Sequence, residues 1–133
     1  MPALAVALGS ALGGVARYWL TLAAAKAWGE AFPWGTLLIN VVGSFVIGLT
    51  FTLTAADGVW PASTNLRLFV MTGICGGFTT FSAFSLQSLQ LLRDGEWLPA
   101  FAYMVGSVVL CLAAVMVGHW LAARIGIALT PPA

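Results

Sequence analysis

Four apolar runs, each long enough to cross a bilayer, constrain this chain more than any other feature. They cover residues 4–25, 34–55, 66–92 and 98–125, and a membrane-spanning helix needs about 20 predominantly apolar residues. Charged residues make up 7% of the chain and hydrophobic residues 61%, whereas soluble domains carry about 25% charged residues. The sequence therefore predicts an all-α membrane protein, a single domain of four transmembrane helices in contact with the lipid bilayer.

The charged residues exclude several functions. A net charge of +1 is too small to indicate nucleic acid as a partner. The acidic residues Glu30, Asp57, Asp94 and Glu96 all lie in or beside the connections between the runs. No carboxylate lies deep in a helix, where proton-coupled exchange would need one, and no residues are arranged for covalent catalysis or metal-assisted hydrolysis. We therefore expect a protein that is not an enzyme.

The basic residues do not predict which way the chain is oriented in the membrane. Two of them, Lys26 and Arg93, belong to the side shared by the first and third connections, and Arg67 and Arg124 belong to the other side. Orientation follows an excess of Lys and Arg on the cytoplasmic side, and here the count is tied. A short chain can reach a tie by chance. Alternatively, the protein inserts both ways (dual topology) and assembles as an antiparallel homodimer, which also suits a chain with too few helices to enclose a path.

Residues 73–85 interrupt the third run. They place Gly76 and Gly77 directly before the hydroxyls of Thr79 and Thr80, within a segment otherwise apolar enough to span a membrane. Non-helical backbone at membrane depth survives only where protein or water satisfies its polar groups. The pattern predicts that the third helix is broken near its middle and builds an ion site there.

Polar side chains recur at four-residue spacing in the second and fourth runs, so each set lies on one helix face. The first set is Thr36, Asn40 and Ser44, and the second is Tyr103, Ser107 and Cys111. Buried polar groups in membranes are costly and tend to mark pathways. The amide of Asn40 either bonds a neighbouring helix or is a donor aimed at a transported anion.

Small residues at positions 5, 9 and 13 form a stripe along the first run. Such stripes allow close helix packing, which is their expected role here. Arg17 continues the stripe and either extends to the interface or stands at the mouth of an anion path.

Three segments together resemble the Fluc (CrcB) family of fluoride channels. They are GGVARY at residues 13–18, GTLLINVVGSF at residues 35–45 and GGFTTFSAFS at residues 76–85. The resemblance implies an antiparallel homodimer in the inner (plasma) membrane, with two pores that let fluoride leave passively. It also implies a structural Na⁺ at the dimer centre, bound by main-chain carbonyls of Gly76 and Thr79.

Matching the family motifs residue by residue gives the expected fluoride path. The eight path residues are Asn40, Thr80, Phe81, Ser82, Phe84, Tyr103, Ser107 and Cys111, with Arg17 at the vestibule. Three positions depart from the family pattern: Ala83 replaces a frequent Thr, Gln87 a common Glu, and Cys111 an expected Ser or Thr. A thiol is a weaker donor than a hydroxyl.

Two other functions remain as alternatives at this stage. The first is a proton-coupled exporter of the small multidrug-resistance type, which shares the length and the four spans. That class predicts a glutamate in the first helix, where this chain has Arg17 and no acid. The second is a membrane subunit that uses its glycine faces only for assembly, which leaves the aligned polar residues unexplained.

Overall fold

The structure, a computed structural model, describes residues 1–129, and the regular elements within that range are all helical. Helices α1 (Pro2–Trp28), α2 (Trp34–Leu53) and α6 (Trp97–Leu129) are continuous. The third span consists of α3 (Thr64–Arg67), a π-helix (Leu68–Cys75), α4 (Gly76–Phe78) and α5 (Phe81–Arg93).

Four stretches are long and apolar enough to cross a membrane: Pro2–Trp28, Trp34–Leu53, Thr64–Arg93 and Trp97–Leu129. Each begins and ends within four residues of the predicted run. The all-α fold with four apolar spans is thus confirmed, and the chain is a multi-pass membrane protein. Its treatment as a single domain stays a prediction.

The third span is broken just after its glycine pair. Thr79 (φ −77°, ψ 160°) and Thr80 (φ −153°, ψ 113°) are extended, whereas Gly76 (φ −65°, ψ −38°) is still helical. The break therefore lies near the middle of the span, as predicted, and its extended residues are the two threonines. Upstream of the break the π-helix widens the turn, since its hydrogen bonds run from i to i+5.

Glycines bring α1 against the third span at backbone contact distance. A Cβ added to Gly9 would lie 2.8 Å from the Cα of Gly73, and one added to Gly13 would lie 2.8 Å from the nitrogen of Phe78. Real Cβ atoms essentially never approach so closely. The small-residue stripe on α1 thus packs directly on the third span, which confirms the packing role predicted for it.

A second close pair joins α2 to α6. A Cβ on Gly48 would lie 3.0 Å from Cγ2 of Val115, and one on Gly118 would lie 2.9 Å from the nitrogen of Leu49. This pairing could not be predicted from the sequence, because a glycine in an apolar run gives no sign of which helix it faces.

The third span begins with a capped and anchored turn. The backbone N–H of Leu66 donates to Oγ of Ser63 at 3.3 Å, so Ser63 is the N-cap of α3. Arg67 donates to Oγ1 of Thr54 at 3.2 Å, and its guanidinium lies 5.6 Å from the centre of the Phe51 ring. These contacts tie the start of the third span to the end of α2.

Candidate functional site

A cleft of about 390 Å³ lies beside the break in the third span, between α2, the broken span and α6. We call it the break cleft. Its lining includes Gly76 and Thr79, and also six of the eight predicted path residues: Asn40, Thr80, Phe81, Phe84, Ser107 and Cys111. Residues far apart in sequence therefore meet in one cleft beside the break.

Asn40 closes the break from the side with two hydrogen bonds. Its Oδ1 accepts from the backbone N–H of Thr80 at 2.8 Å, and its Nδ2 donates to the carbonyl of Thr80 at 3.1 Å. The Asn40 amide thus supplies the hydrogen-bond acceptor and donor that peptide groups would supply to Thr80 in a continuous helix. Both alternatives for Asn40 remain compatible with this geometry, because its second N–H is still available to a ligand in the cleft.

The same rearrangement frees two carbonyl oxygens. In a continuous α-helix the N–H of Thr80 would donate to the carbonyl of Gly76, but here it donates to Asn40. The N–H of Ala83 would donate to the carbonyl of Thr79, but it donates to Oγ1 of Thr80 at 3.1 Å. Oxygen atoms are the ligands that hard cations take. Gly76 and Thr79, the carbonyls expected to bind sodium, are therefore chemically suited to that ion.

The side chains of Thr80 and Ser82 belong to the start of α5. Oγ1 of Thr80 is the N-cap acceptor, and it lies 3.2 Å from Oγ of Ser82. Thr80 is buried and lines the break cleft, whereas Ser82 is exposed and is not among the lining residues. Of the two candidate hydroxyl donors, Thr80 is therefore the one at the cleft.

Phe81 and Phe84 share one face of α5, as their spacing predicts. Their ring centres are 5.3 Å apart with an interplanar angle of 41°. Phe81 is 77% exposed, whereas Phe84 is partly buried and packs on the ring of Tyr103 at 5.2 Å. Both rings line the break cleft.

The polar row on α6 faces the interior along two of its turns. Tyr103 is 1% exposed and Ser107 is 6% exposed, while Cys111 is partly exposed. Among the buried side-chain oxygens and nitrogens of residues 1–129, Oγ of Ser107 alone has no hydrogen-bond partner. An unpartnered buried hydroxyl costs about 1–3 kcal/mol, so this oxygen points to a ligand that enters the cleft.

A second cleft of about 590 Å³ opens at the end of the bundle that carries the first and third connections. We call it the end cleft. It is lined by Thr36 and Gln87, with Glu30, Asp94 and Glu96 at its rim. The described acidic residues nearest this mouth are all on connections, outside the helices.

Tyr103 separates the two clefts. Its hydroxyl donates at 2.9 Å to Oε1 of Gln87, which lines the end cleft. Its ring packs on Phe84, which lines the break cleft, and on Phe32, which lines the end cleft. Tyr103 does not itself line the break cleft. Tyr103 therefore contacts residues of both clefts and lies between them.

Comparison with known proteins places this site in a family. The family model described as CrcB-like protein, Camphor Resistance (CrcB), matches residues 4–119. The chain belongs to the CrcB family.

Close relatives within the CrcB family carry a common name. A protein from Paramagnetospirillum magneticum is 59% identical over 114 residues, covering 86% of this chain and 89% of the relative. A protein from Opitutus terrae is also 59% identical over 114 residues, covering 86% of each. One from Methylocella silvestris is 54% identical over 120 residues, covering 90% and 92%. All three are named fluoride-specific ion channel FluC.

One functional position in this CrcB chain was not found from the sequence. Gly43 lies on α2, three residues after Asn40, and a Cβ there would overlap the side chain of Thr79 and lie 3.4 Å from the ring of Phe78. Only glycine lets the break approach α2 closely enough for Asn40 to reach Thr80. The signal was its position within the second motif, beside the amide.

Two polar residues lie away from both clefts. Arg17 is partly buried on α1 and is not among the residues lining either cleft, so its predicted place at a vestibule stays a prediction. Nδ1 of His119 lies 2.7 Å from Oγ1 of Thr52. That hydroxyl lies in the last turn of α2, so this contact joins α2 to α6.

Proposed function

We propose that this protein is a fluoride-selective channel that lets F⁻ leave the cell passively. The observation that carries the proposal is the unpartnered Ser107 hydroxyl in the break cleft, beside the second N–H of Asn40 and the rings of Phe81 and Phe84. The names of the relatives support the choice of ion. Membership of the family also supports the expectation that the protein is not an enzyme.

The chemistry of the break cleft suits a small anion that holds water tightly. A pore must replace the hydration shell of such an ion with donors at close range, yet bind it weakly enough for release. Asn40, Ser107 and Thr80 supply neutral donors. The rings of Phe81 and Phe84 carry weak positive charge at their edges, and this charge attracts an anion without forming a strong ion pair.

The path extends from the break cleft past Tyr103 toward the end cleft. Tyr103 and Gln87 provide polar contacts between the two clefts. Cys111 continues the row on α6 as a weaker donor. Ser82 and Arg17 contribute from the edge of the path and its vestibule. A narrow path of this kind excludes chloride by size.

The working unit is an antiparallel homodimer with dual topology and two pores. Two observations support it: the tied count of basic residues, and the small number of helices available to one chain to enclose a path. Cysteines are added in turn to the N-terminus and to the first connection, which lie on opposite sides of the membrane in any one orientation, and are labelled from outside with an impermeant maleimide. Labelling at both positions in intact cells is expected, and labelling at only one of them would contradict dual topology.

A sodium ion at the centre of this dimer binds the carbonyls of Gly76 and Thr79 from both subunits. Its support is the loss of the helical donor at each carbonyl. Bound there, the ion supplies fixed positive charge and links the two broken helices, so its role is mainly structural.

Passive export in this proposal is driven by the inside-negative potential of the inner membrane. Each charge gains about 2.3 kcal/mol per 100 mV, so a channel suffices. The proton-coupled exporter is less well supported, because the four acidic residues all lie outside the helices.

Efflux from liposomes tests the function. Liposomes that contain the protein are loaded with potassium fluoride and potassium chloride, valinomycin carries the balancing potassium, and ion-selective electrodes follow each anion. We expect fast fluoride release with chloride retained. Phe81→Ile should slow fluoride release, whereas Phe101→Ile, a change at a 63% exposed residue of α6 outside both clefts, should not. Release of neither anion, or of both, would contradict the proposal.

A further inference from the structure

Three sulfur-bearing side chains line the break cleft. Met71 and Cys75 come from the π-helix, and Cys111 comes from α6. In a helix with i→i+5 bonding, residues four apart lie close to one face, so Met71 and Cys75 are neighbours on the cleft wall. Both cysteines are free thiols.

The cleft also contains an oxygen that points to a ligand. Ser107 lies one turn from Cys111 on the same face of α6, and its buried hydroxyl is unpartnered. The sulfur atoms therefore share their cleft with a second group that has no partner within residues 1–129.

We propose that the break cleft is a binding site for a soft monovalent metal ion of the Cu(I) and Ag(I) class, held by Met71, Cys75 and Cys111. Thiolate and thioether ligands select soft ions of this kind. Within residues 1–129 no group of three or more His, Cys, Asp and Glu residues is placed to hold a metal, so the proposed site needs Met71 as its third ligand.

Binding needs no oxidant. Each thiol that becomes a ligand breaks its S–H bond, releases one proton to water and forms a sulfur–metal bond as thiolate. The methionine thioether binds through a lone pair and releases nothing. Neither sulfur nor metal changes oxidation state.

The consequence for transport rests on the proposed function. The same cleft contains Asn40, Phe81 and Ser107, so a metal ion bound there obstructs the fluoride path. Soft metal ions are then inhibitors of fluoride release, and the departure from hydroxyl to thiol at Cys111 makes this chain sensitive to them.

Retention of silver tests the site without reference to transport. Purified protein is incubated with silver nitrate in chloride-free buffer and desalted, and silver per chain is measured by mass spectrometry. We expect about one ion per chain, because the three ligands form one site. The double variant C75A/C111S should retain little silver, and C111S and Met71→Leu should each retain less than wild type.

Met116→Leu is the matched control, since Met116 is 69% exposed on α6 and lies outside the break cleft. It should retain as much silver as wild type. Equal retention by wild type and C75A/C111S, with both eluting as folded protein, would overturn the site.

Fluoride efflux tests the obstruction. Liposomes are loaded with potassium fluoride and placed in potassium isethionate with silver nitrate outside, and each variant is compared with its own rate without silver. At free silver about ten times the Kd, about one site in eleven is empty, so wild-type efflux should fall about elevenfold. Excess free thiol should restore it, and C75A/C111S should be insensitive.

The two proposals fail differently. Silver retained at the cysteines while wild-type efflux is undiminished would overturn the obstruction. Absent efflux without silver would instead contradict the fluoride function, and the retention measurement would still decide whether the metal site exists.

Discussion

Replacement of Asn40 by alanine should open the break. The side chain makes two hydrogen bonds to the backbone of Thr80, at 2.8 and 3.1 Å, and Thr80 is 8% exposed. Hydrogen bonds between helices in membranes contribute about 0.6 kcal/mol on average and up to about 1.7. Loss of both should therefore cost about 1–3 kcal/mol, which shifts the opening of the break about 5- to 150-fold.

Hydrogen–deuterium exchange in lipid nanodiscs measures this opening directly. The peptide that contains the Thr80 amide should exchange faster in Asn40→Ala by that factor. Asn40→Asp should lie between wild type and alanine, because a carboxylate accepts from the N–H of Thr80 but cannot donate to its carbonyl. Asn65→Ala, at an exposed asparagine in the first turn of α3, is the control. If Asn40→Ala left exchange at Thr80 as slow as in wild type, the two hydrogen bonds would not be what holds the break.

Three further changes follow from contacts in the structure. Gly9→Ala should lower the free energy of unfolding by about 1–3 kcal/mol, because its Cβ would overlap the third span, whereas Gly14→Ala, with open space at its Cβ, should be neutral or stabilising. Thermal unfolding in detergent compares the two variants, and equal melting temperatures would contradict the packing. Ser107→Ala should leave the stability unchanged or raise it, since no hydrogen-bond partner is lost. It should nevertheless slow fluoride efflux about tenfold, because the ion loses one donor worth about 1.4 kcal/mol; unchanged efflux would show that Ser107 is not part of the path. Gln87→Leu should destabilise the fold by about 1–2 kcal/mol, because the buried hydroxyl of Tyr103 loses the acceptor Gln87, whereas Gln87→Glu should retain most of the stability. Chemical unfolding measures both variants, and equal stabilities would argue against this hydrogen bond.

The four spans and the faces they present were accessible from the sequence. A bilayer requires every backbone polar group to be satisfied within the segment, so each long apolar run is expected to form a helix. Polar residues at four-residue spacing then fall on one face. Asn40 and Ser44, and likewise Ser107 and Cys111, line the same cleft.

The details of the break were not accessible in this way. The pattern of residues 73–85 predicted a break but not the residue at which the helix stops. Gly76 is helical, and Gly77 packs against the backbone of Ser10. Gly77 thus serves contact with α1, and the extended residues are the two threonines that follow the pair. The π-helix was also missed, because its register depends on packing against other helices and not on local preference.

The hydrogen bonding of Asn40 to Thr80 at the break was missed for a similar reason. Asn40 and Thr80 are 40 residues apart, and a sequence pattern does not say which of several buried groups an amide will bond. The orientation of Tyr103 toward Gln87 is of the same kind. Sequence identified the polar groups, and only the fold decided their pairing.

In the proposed channel, a single break provides for ions of opposite sign because the two backbone ends differ. At the end of α4 the interruption leaves carbonyl oxygens, which carry partial negative charge, and at the start of α5 it leaves N–H groups, which carry partial positive charge. Asn40 and the Thr80 hydroxyl satisfy two of the N–H groups, so the break costs less than an open helix end. The carbonyls that remain favour a cation, whereas the donors of Asn40 and Ser107 favour an anion in the adjoining cleft. Loss of the Asn40 bonds should therefore impair both sites together, while loss of the Ser107 hydroxyl should impair only the anion site.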